Sequence, residues 1–130
     1  MIKQSDGTIR STGCSNAHNI NNMQAEVSTY HNETGKHVSS VVLGGNQTDV
    51  GLTLGATKDG GFILGLKTVA AGNGNEDSVV VKFGEDGDIE QALVLGNSTH
   101  NEQIIDIEQA QNSSNILTVG YVFANYSYSN

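Results

Sequence analysis

The chain reads Thr57-Lys58-Asp59-Gly60-Gly61-Phe62-Ile63-Leu64-Gly65 near its middle, and this stretch has a related copy on either side. The earlier copy is Gln4-Ser5-Asp6-Gly7-Thr8-Ile9, and the later, weaker one is Gln111-Asn112-Ser113-Ser114-Asn115-Ile116-Leu117. A second landmark also repeats, because Val42-Leu43-Gly44-Gly45-Asn46 returns as Val94-Leu95-Gly96-Asn97. Matching landmarks are 52 to 54 positions apart. A strand repeat of this period is typical of propellers, solenoids and arrays, whose modules more often bind or assemble than catalyse.

Short apolar runs, or apolar residues alternating with polar ones, recur along the chain and indicate β-strands rather than helices. Asp-Gly pairs separate several of these runs, and such pairs tolerate the positive φ of a tight hairpin turn. Each repeat is predicted to contain four short strands, which in the complete copy fall near 50–56, 61–67, 78–83 and 89–95. The first copy is predicted to begin at its second strand, with strands near 8–13, 26–31 and 38–43. The last copy is predicted to hold two strands, near 103–109 and 115–122.

Four antiparallel strands in about 50 residues is the size of one β-propeller blade. The predicted fold is therefore all-β, with β-propeller-type four-stranded antiparallel blades in about two and a half repeats of 52–54 residues. The 130 residues are predicted to form a single repeat domain: a partial blade at 1–46, a complete blade at 47–97, and a partial blade with an aromatic tail at 98–130. The expected buried runs are Val79–Val81, Leu93–Leu95 and Ile104–Ile107.

The segment from 49 to 97 resembles a known class of repeat. It carries Asp59-Gly60-Gly61-Phe62, then Asp77-Ser78-Val79-Val80-Val81-Lys82-Phe83, then Asp86-Gly87-Asp88-Ile89. This order is similar to the Asp-Gly-Gly-Tyr/Phe repeats of secreted or cell-surface β-propellers of bacteria and protists, including the SBBP-type and delta-60-type repeats. The outer copies depart from the pattern, with Thr8 in place of the second glycine and Asn112-Ser113-Ser114 in place of Asp-Gly-Gly. The resemblance implies a fold and a secreted or surface location, and it implies no catalytic residues.

The number of repeats has a consequence for assembly. Propellers typically close with four to eight blades, so two and a half would leave sheet edges and faces uncovered. Three outcomes follow: the chain is part of a larger propeller, closes a ring with copies of itself, or stacks into an open filament. Rings and filaments both arise from heterologous interfaces, depending on whether the rotation closes.

Composition excludes several functional classes. The formal charge is −8 with only six Lys and Arg, which argues against a nucleic-acid partner or an anionic membrane surface. No apolar stretch approaches the roughly 20 residues needed to cross a bilayer, so no membrane insertion is predicted. Phosphate loops, Gly-x-Ser-x-Gly elbows and zinc-protease motifs are all missing from the sequence, so neither a cofactor nor an enzymatic activity is predicted.

Five asparagines begin Asn-x-Ser/Thr sequons, against roughly two or three expected by chance in a chain of this composition. The candidate glycosylation sites are Asn32, Asn46, Asn97, Asn112 and Asn125, of which the first four fall in predicted turns. A glycan on a turn stays solvated, which fits a secreted protein. The same residues also serve as ordinary turn formers.

The sequence also contains residue types that bind metal ions. Hard oxygen ligands gather in two glycine-containing loops, which makes them weak calcium candidates without the spacing of an EF-hand. One loop holds Glu85, Asp86 and Asp88, and the other holds Glu76 and Asp77 beside Asn73 and Asn75. The solvated hairpin turn is the favoured interpretation, so no metal is predicted. Cys14 and His18 are close in sequence, but they lack the further ligands that zinc needs, and Cys14 is expected to be a buried or semi-exposed free thiol.

Aromatic residues concentrate at the C-terminal end, which holds four within eight positions: Tyr121, Phe123, Tyr126 and Tyr128. They are candidates for an assembly edge that adds to a neighbouring sheet, or for contacts with sugar rings. The alternative is that Tyr121 and Phe123 pack into the last blade and the tail frays. The sequence thus predicts a structural or adhesive extracellular or cell-surface repeat protein that self-assembles into a ring or filament, or belongs to a larger propeller. The alternative is a carbohydrate- or protein-binding β-propeller module.

Overall fold

A computed structural model describes residues 1–17, 21–70, 76–96 and 99–124. Within these ranges the chain forms ten β-strands and no helix, so the all-β prediction is confirmed. The strands are β1 Ile2–Lys3, β2 Thr8–Ser15, β3 Gln24–His31, β4 His37–Leu43, β5 Asp49–Ala56, β6 Phe62–Thr68, β7 Asp77–Phe83, β8 Ile89–Leu95, β9 His100–Gln109 and β10 Ile116–Ala124. Nine of the ten lie where the apolar runs predict them.

Three antiparallel sheets contain these strands, in the orders β1-β2-β3-β4, β5-β6-β7-β8 and β9-β10. Within each sheet every strand pairs with the next along the chain, and over the described residues none of the sheets closes into a barrel. The predicted count of four strands per complete unit is correct. The predicted start of the first unit is wrong, because β1 pairs with β2 through Ile2↔Arg10 and Lys3↔Ile9. A strand of two residues has no alternation by which a sequence pattern could reveal it.

The repeated Asp-Gly turns have one geometry. Gly7, Gly60 and Gly87 all adopt positive φ, at 83°, 84° and 87°. In each turn the carboxylate of the preceding aspartate accepts the N–H of the residue two positions later, for example Thr8 N–H on Asp6 at 2.8 Å. The third copy has Asn112-Ser113-Ser114 in place of Asp-Gly-Gly, and its turn contains an equivalent bond. The Ser113 hydroxyl accepts the N–H of Asn115, two positions later, at 3.1 Å. A short polar side chain, rather than aspartate itself, is what this turn requires.

The first strand of each later unit carries a β-bulge at the same position of the repeat. Leu52 in β5 and Ile105 in β9 are the extra residues, and they lie 53 positions apart. Each bulge changes which side chains face the neighbouring sheet. As a result Leu54 and Ile107 are buried, whereas Ile105 is 55% exposed.

Two apolar clusters hold the sheets together. The cluster between the first and second sheets contains Ala25, Val27, Leu54, Phe62, Leu64, Leu66, Val81 and Phe83, with Val41, Leu43 and Val79 packed against it. The cluster between the second and third sheets is smaller and contains Ile63, Val80, Ile104 and Ile107, with Leu95 and Ile116 beside it. The rings of Phe62 and Phe83 stack with centroids 4.4 Å apart, and the Arg10 guanidinium lies 4.5 Å from the centre of the Phe62 ring.

One predicted core run is not buried. Val80 and Val81 in β7 and Ile104 and Ile107 in β9 are buried as expected, but Leu93 is 55% exposed and Val94 is 50% exposed. These two residues belong to β8, the outermost strand of the second sheet, which pairs on one side only. The apolar run Leu93–Leu95 therefore predicts the strand correctly. The burial of its side chains depends on whether another sheet covers them.

Candidate functional site

The third sheet has an open edge. In both four-stranded sheets the second strand lies between the first and the third, as β6 lies between β5 and β7. The corresponding strand of the third sheet, β10, pairs only with β9 within the described residues. Its other edge presents backbone N–H and C=O groups that can template a further strand.

The side chains of β10 leave this edge unprotected. Residues 115–124 contain no charged residue and no proline, the two features that natural edge strands commonly use against association. The strand's apolar residues are largely exposed: Leu117 59%, Val119 59%, Tyr121 38%, Val122 62% and Phe123 54%. We call this strand with these five side chains the open edge.

Beside the open edge lies an apolar groove of about 260 Å³ between the second and third sheets. Val80, Leu93, Leu95 and Ile116 line its floor and walls. Lys82, Gln91 and Thr118 form its polar part. The groove therefore continues the apolar surface of β10 onto the outer half of the second sheet.

The interface between the first and second sheets shows which strand is missing beside the groove. At the first interface Val41 of β4 is partly buried against the core cluster, to which β7 contributes Val79, Val81 and Phe83. Leu93 occupies the position of Val41 one repeat later and is 55% exposed. The difference arises because the third sheet has no counterpart of β7 among the described residues. A third strand beside β10 would lie over this groove.

The predicted assembly residues fall partly on this site. Tyr121 and Phe123 lie on the open edge, with their ring centroids 4.6 Å apart and their planes at 68°. Tyr126 and Tyr128 lie outside the described residues. Leu117, Val119 and Val122 are not among the predicted assembly residues, although the uncharged run 115–124 that contains them is a signal for such a surface. Leu93 was predicted to be buried.

Three of the five sequons can be placed. Asn46 is exposed in the connection between the first and second sheets, and Asn112 is exposed in the β9–β10 turn. Asn32 is half-buried in the β3–β4 turn, where its N–H donates to the carbonyl of Gly7 at 3.1 Å. Asn97 and Asn125 lie outside the described residues.

The weak calcium candidates Glu85, Asp86 and Asp88 occupy the exposed β7–β8 turn. The carboxylate of Asp86 accepts the N–H of Asp88 at 3.1 Å, which is the bond that shapes the turn. Among the described residues no group of three or more His, Cys, Asp and Glu side chains is arranged to bind a metal ion. The geometry of this turn is explained by its hairpin role.

Cys14 is exposed, which corrects the expectation of a buried or semi-exposed thiol. It lies near the end of β2, whereas β1 covers β2 only at Ile9 and Arg10. Within the described residues, that part of β2 therefore has no hydrogen-bonded strand on one side of it in the sheet. The Cys14 sulfur lies 3.2 Å from the sulfur of Met23, and His18 lies outside the described residues.

Lys82 links the Asp-Gly-Gly turn to the outer strand β8. Its ammonium group contacts the carboxylates of Asp59, at 2.7 Å, and of Glu90. The hydrogen bond from Lys82, helped by one from Thr57, lowers the pKa of Asp59 from 3.8 to about 2. The two carboxylates raise the pKa of Lys82 in turn.

This ion pair predicts an acid-dependent loss of stability. A depressed carboxylate pKa contributes stability that is present above about pH 4 and lost as the pH falls toward 2. The Asp59 side chain is 51% exposed, so the contribution is under about 1 kcal/mol. Thermal melts should show Asp59→Asn below the wild type at pH 6 and equal to it at pH 2. A difference that persists at pH 2 would show that the turn geometry, and not the charge, is responsible.

Comparison with known proteins adds no assignment. No protein-family model matches the chain, and no curated protein matches it in sequence. The described residues include no helix of the length and apolar character that crossing a membrane requires.

Proposed function

We propose that this protein is a structural assembly module whose incomplete third sheet is completed by strands from another polypeptide segment. The observation that supports the proposal is the open edge of β10 next to an uncovered apolar groove. Both the edge and the groove correspond to positions that a third strand covers in the complete sheets. The proposed role is structural and assigns no catalytic residue.

Charge also favours this surface for association. The chain carries a formal charge of −8, so copies repel one another over most of their surface. The open edge contains no charged residue, and apolar burial can therefore offset the repulsion there. Two strands supplied beside β10 would give the third sheet the four strands of the other two.

The proposed architecture is of β-propeller type, with the three sheets acting as successive blades. The strands would come from a further copy in a ring or a filament, or from a longer propeller to which these residues belong. A head-to-tail interface closes into a ring or extends as a filament according to its rotation. The proposed location is extracellular or at the cell surface.

The test is the mass and shape of the native material, measured by multi-angle light scattering and then by negative-stain imaging. Rings or fibres of many copies are the expected result for the isolated chain. A stable single chain of 13.7 kDa at high concentration would contradict self-assembly. In that case, a longer polypeptide that contains these residues and forms a closed ring would support the alternative that they belong to a larger propeller.

Glycosylation is proposed at the two fully exposed sequons, Asn46 and Asn112. Secretion of the chain from eukaryotic cells is expected to add a glycan at each, measured as a mass loss on treatment with peptide-N-glycosidase. Thr48→Ala and Ser114→Ala each destroy one sequon and should each remove one glycan. A wild-type mass equal to that of the bare chain would contradict this part of the proposal.

A carbohydrate-binding module is the second candidate, and it rests on the exposed pair Tyr121 and Phe123. Aromatic faces of this kind contact sugar rings through apolar and CH–π contacts. Glycan-array binding that is lost in Tyr121→Ala, with the assembly state unchanged, would favour this function. A single-chain protein that is stabilised by a sugar would favour it further.

A further inference from the structure

Two carboxylates meet at the joint where the second sheet leads into the third. Asp77 begins β7 and is only 2% exposed, and Glu102 lies half-buried in β9. A Cβ placed on Gly96 would lie 2.3 Å from Asp77 Oδ1 and 2.9 Å from Glu102 Oε2. The two oxygens are therefore within about 5 Å of each other, beneath a position where only glycine leaves them room.

The same joint occurs one repeat earlier with a different chemistry. Gln24 and Asp49 occupy the positions of Asp77 and Glu102, 53 residues before each. The Gln24 amide donates to the carbonyls of Met23 and Gln47, both at 3.1 Å. The carboxylate of Asp49 accepts the N–H of Gly45 at 3.3 Å. An amide beside a single carboxylate leaves this first joint with its polar groups bonded.

The backbone of the two joints is alike, so the difference lies in the side chains. Asp49 N–H donates to the carbonyl of Met23 at 2.8 Å, and Glu102 N–H donates to that of Glu76 at 2.9 Å. The second joint nevertheless carries two carboxylates in place of an amide and a carboxylate. Asp77 Oδ2 and Glu102 Oε2 are buried without a hydrogen-bond partner in the described part of the chain.

Such a pair needs positive charge. Two like charges this close repel strongly away from bulk water, and each unbonded buried oxygen adds a desolvation cost. The ammonium group of Lys67 is near the same end of the second sheet, but it is engaged with Glu76 at 2.8 Å. The ion pairs of the described residues include neither Asp77 nor Glu102.

We propose that Asp77 and Glu102 bind a calcium ion at this joint. Two carboxylates supply up to four oxygens, and Ca²⁺ accepts such mixed sets, completed by backbone carbonyls and water, in flexible geometry. Because Asp77 belongs to β7 and Glu102 to β9, the ion ties the second sheet to the first strand of the third. The site stabilises the incomplete sheet and is separate from the exposed turn at 85–88.

The test is a thermal melt of the full chain, first treated with a chelator and then transferred to about 5 mM CaCl₂. The wild-type melting temperature is expected to rise by roughly 3–8 °C, as linkage predicts for a Kd of about 0.1–1 mM. Asp77→Gln recreates the Gln24 chemistry of the first joint and should abolish the response. In chelator this variant should melt at or above the wild-type temperature, because it loses the repulsion.

Controls separate the site from general effects of calcium. Glu102→Gln should also lose the response, which keeps the proposal testable if Asp77→Gln does not fold. Asp86→Asn, in the exposed turn, should keep it. An unchanged wild-type melt in CaCl₂, or a full response in Asp77→Gln, overturns the proposal.

Discussion

Lysine in place of both Val119 and Val122 is expected to convert assemblies of this protein into single chains. Both side chains are about 60% exposed on the open edge, so the substitutions leave the fold of the single chain nearly unchanged. In an assembly each valine would become buried, which is worth about 1.5 kcal/mol per side chain. Losing both weakens association by about 3 kcal/mol, or on the order of a hundredfold in Kd.

Light scattering over a range of concentrations measures this effect. The matched control is the double variant Val38→Lys with Ile89→Lys. These two β-branched residues have similar exposure, 57% and 55%, and lie on the outer strands β4 and β8. Equal circular-dichroism spectra and melting temperatures would establish that both variants fold. Equal loss of assembly in the control would show that association does not depend on β10 in particular.

Alanine in place of Phe83 is expected to give the largest loss of stability. Phe83 is fully buried, and its ring stacks on Phe62 at 4.4 Å in the larger of the two apolar clusters. Truncating a buried phenylalanine costs about 3–5 kcal/mol, because transfer energy is lost and a cavity remains. That is a large share of the roughly 5–15 kcal/mol that stabilises an ordinary domain. Urea unfolding followed by circular dichroism measures the change.

Phe123→Ala provides the matched control, because it removes the same group from a side chain that is 54% exposed. In single chains, obtained with the Val119→Lys and Val122→Lys substitutions, its expected effect on the unfolding free energy is within about 0.5 kcal/mol. Phe83→Leu keeps most of the apolar volume and should fall between the two. Equal losses for Phe83→Ala and Phe123→Ala in these single chains would contradict the exposed position of Phe123, whereas a larger loss for Phe123→Ala in assembled material is what assembly through β10 requires.

The strands were predictable because their signals are local. The turn at Asp59-Gly60-Gly61 depends on one carboxylate, one N–H two residues later and one positive φ, all within a few residues. Strand alternation is equally local, so nine of ten strands lie near their predicted positions. The exception, β1, is too short to produce a pattern, and it forms only because β2 is already there to pair with.

Burial and chemistry at the joints could not be predicted in this way. Leu93 and Val81 lie in similar apolar runs, yet Val81 is buried against the first sheet, whereas Leu93 stays exposed next to the third sheet. The bulges at Leu52 and Ile105 likewise reassign side chains between faces without any obvious mark in the sequence. The assembly residues were only half found, since Tyr121 and Phe123 are conspicuous as aromatics whereas Val119 and Val122 are not.

The sequence by itself therefore determined the strands, the turns and the repeat of this protein, because hydrogen bonds between near neighbours and side-chain alternation specify them. The tertiary structure alone decided that β10 and Leu93 are uncovered and that Asp77 meets Glu102 beneath Gly96. These features bring together residues from different strands and sheets. Their energies depend on what lies across an interface, and no local pattern of residues carries that information.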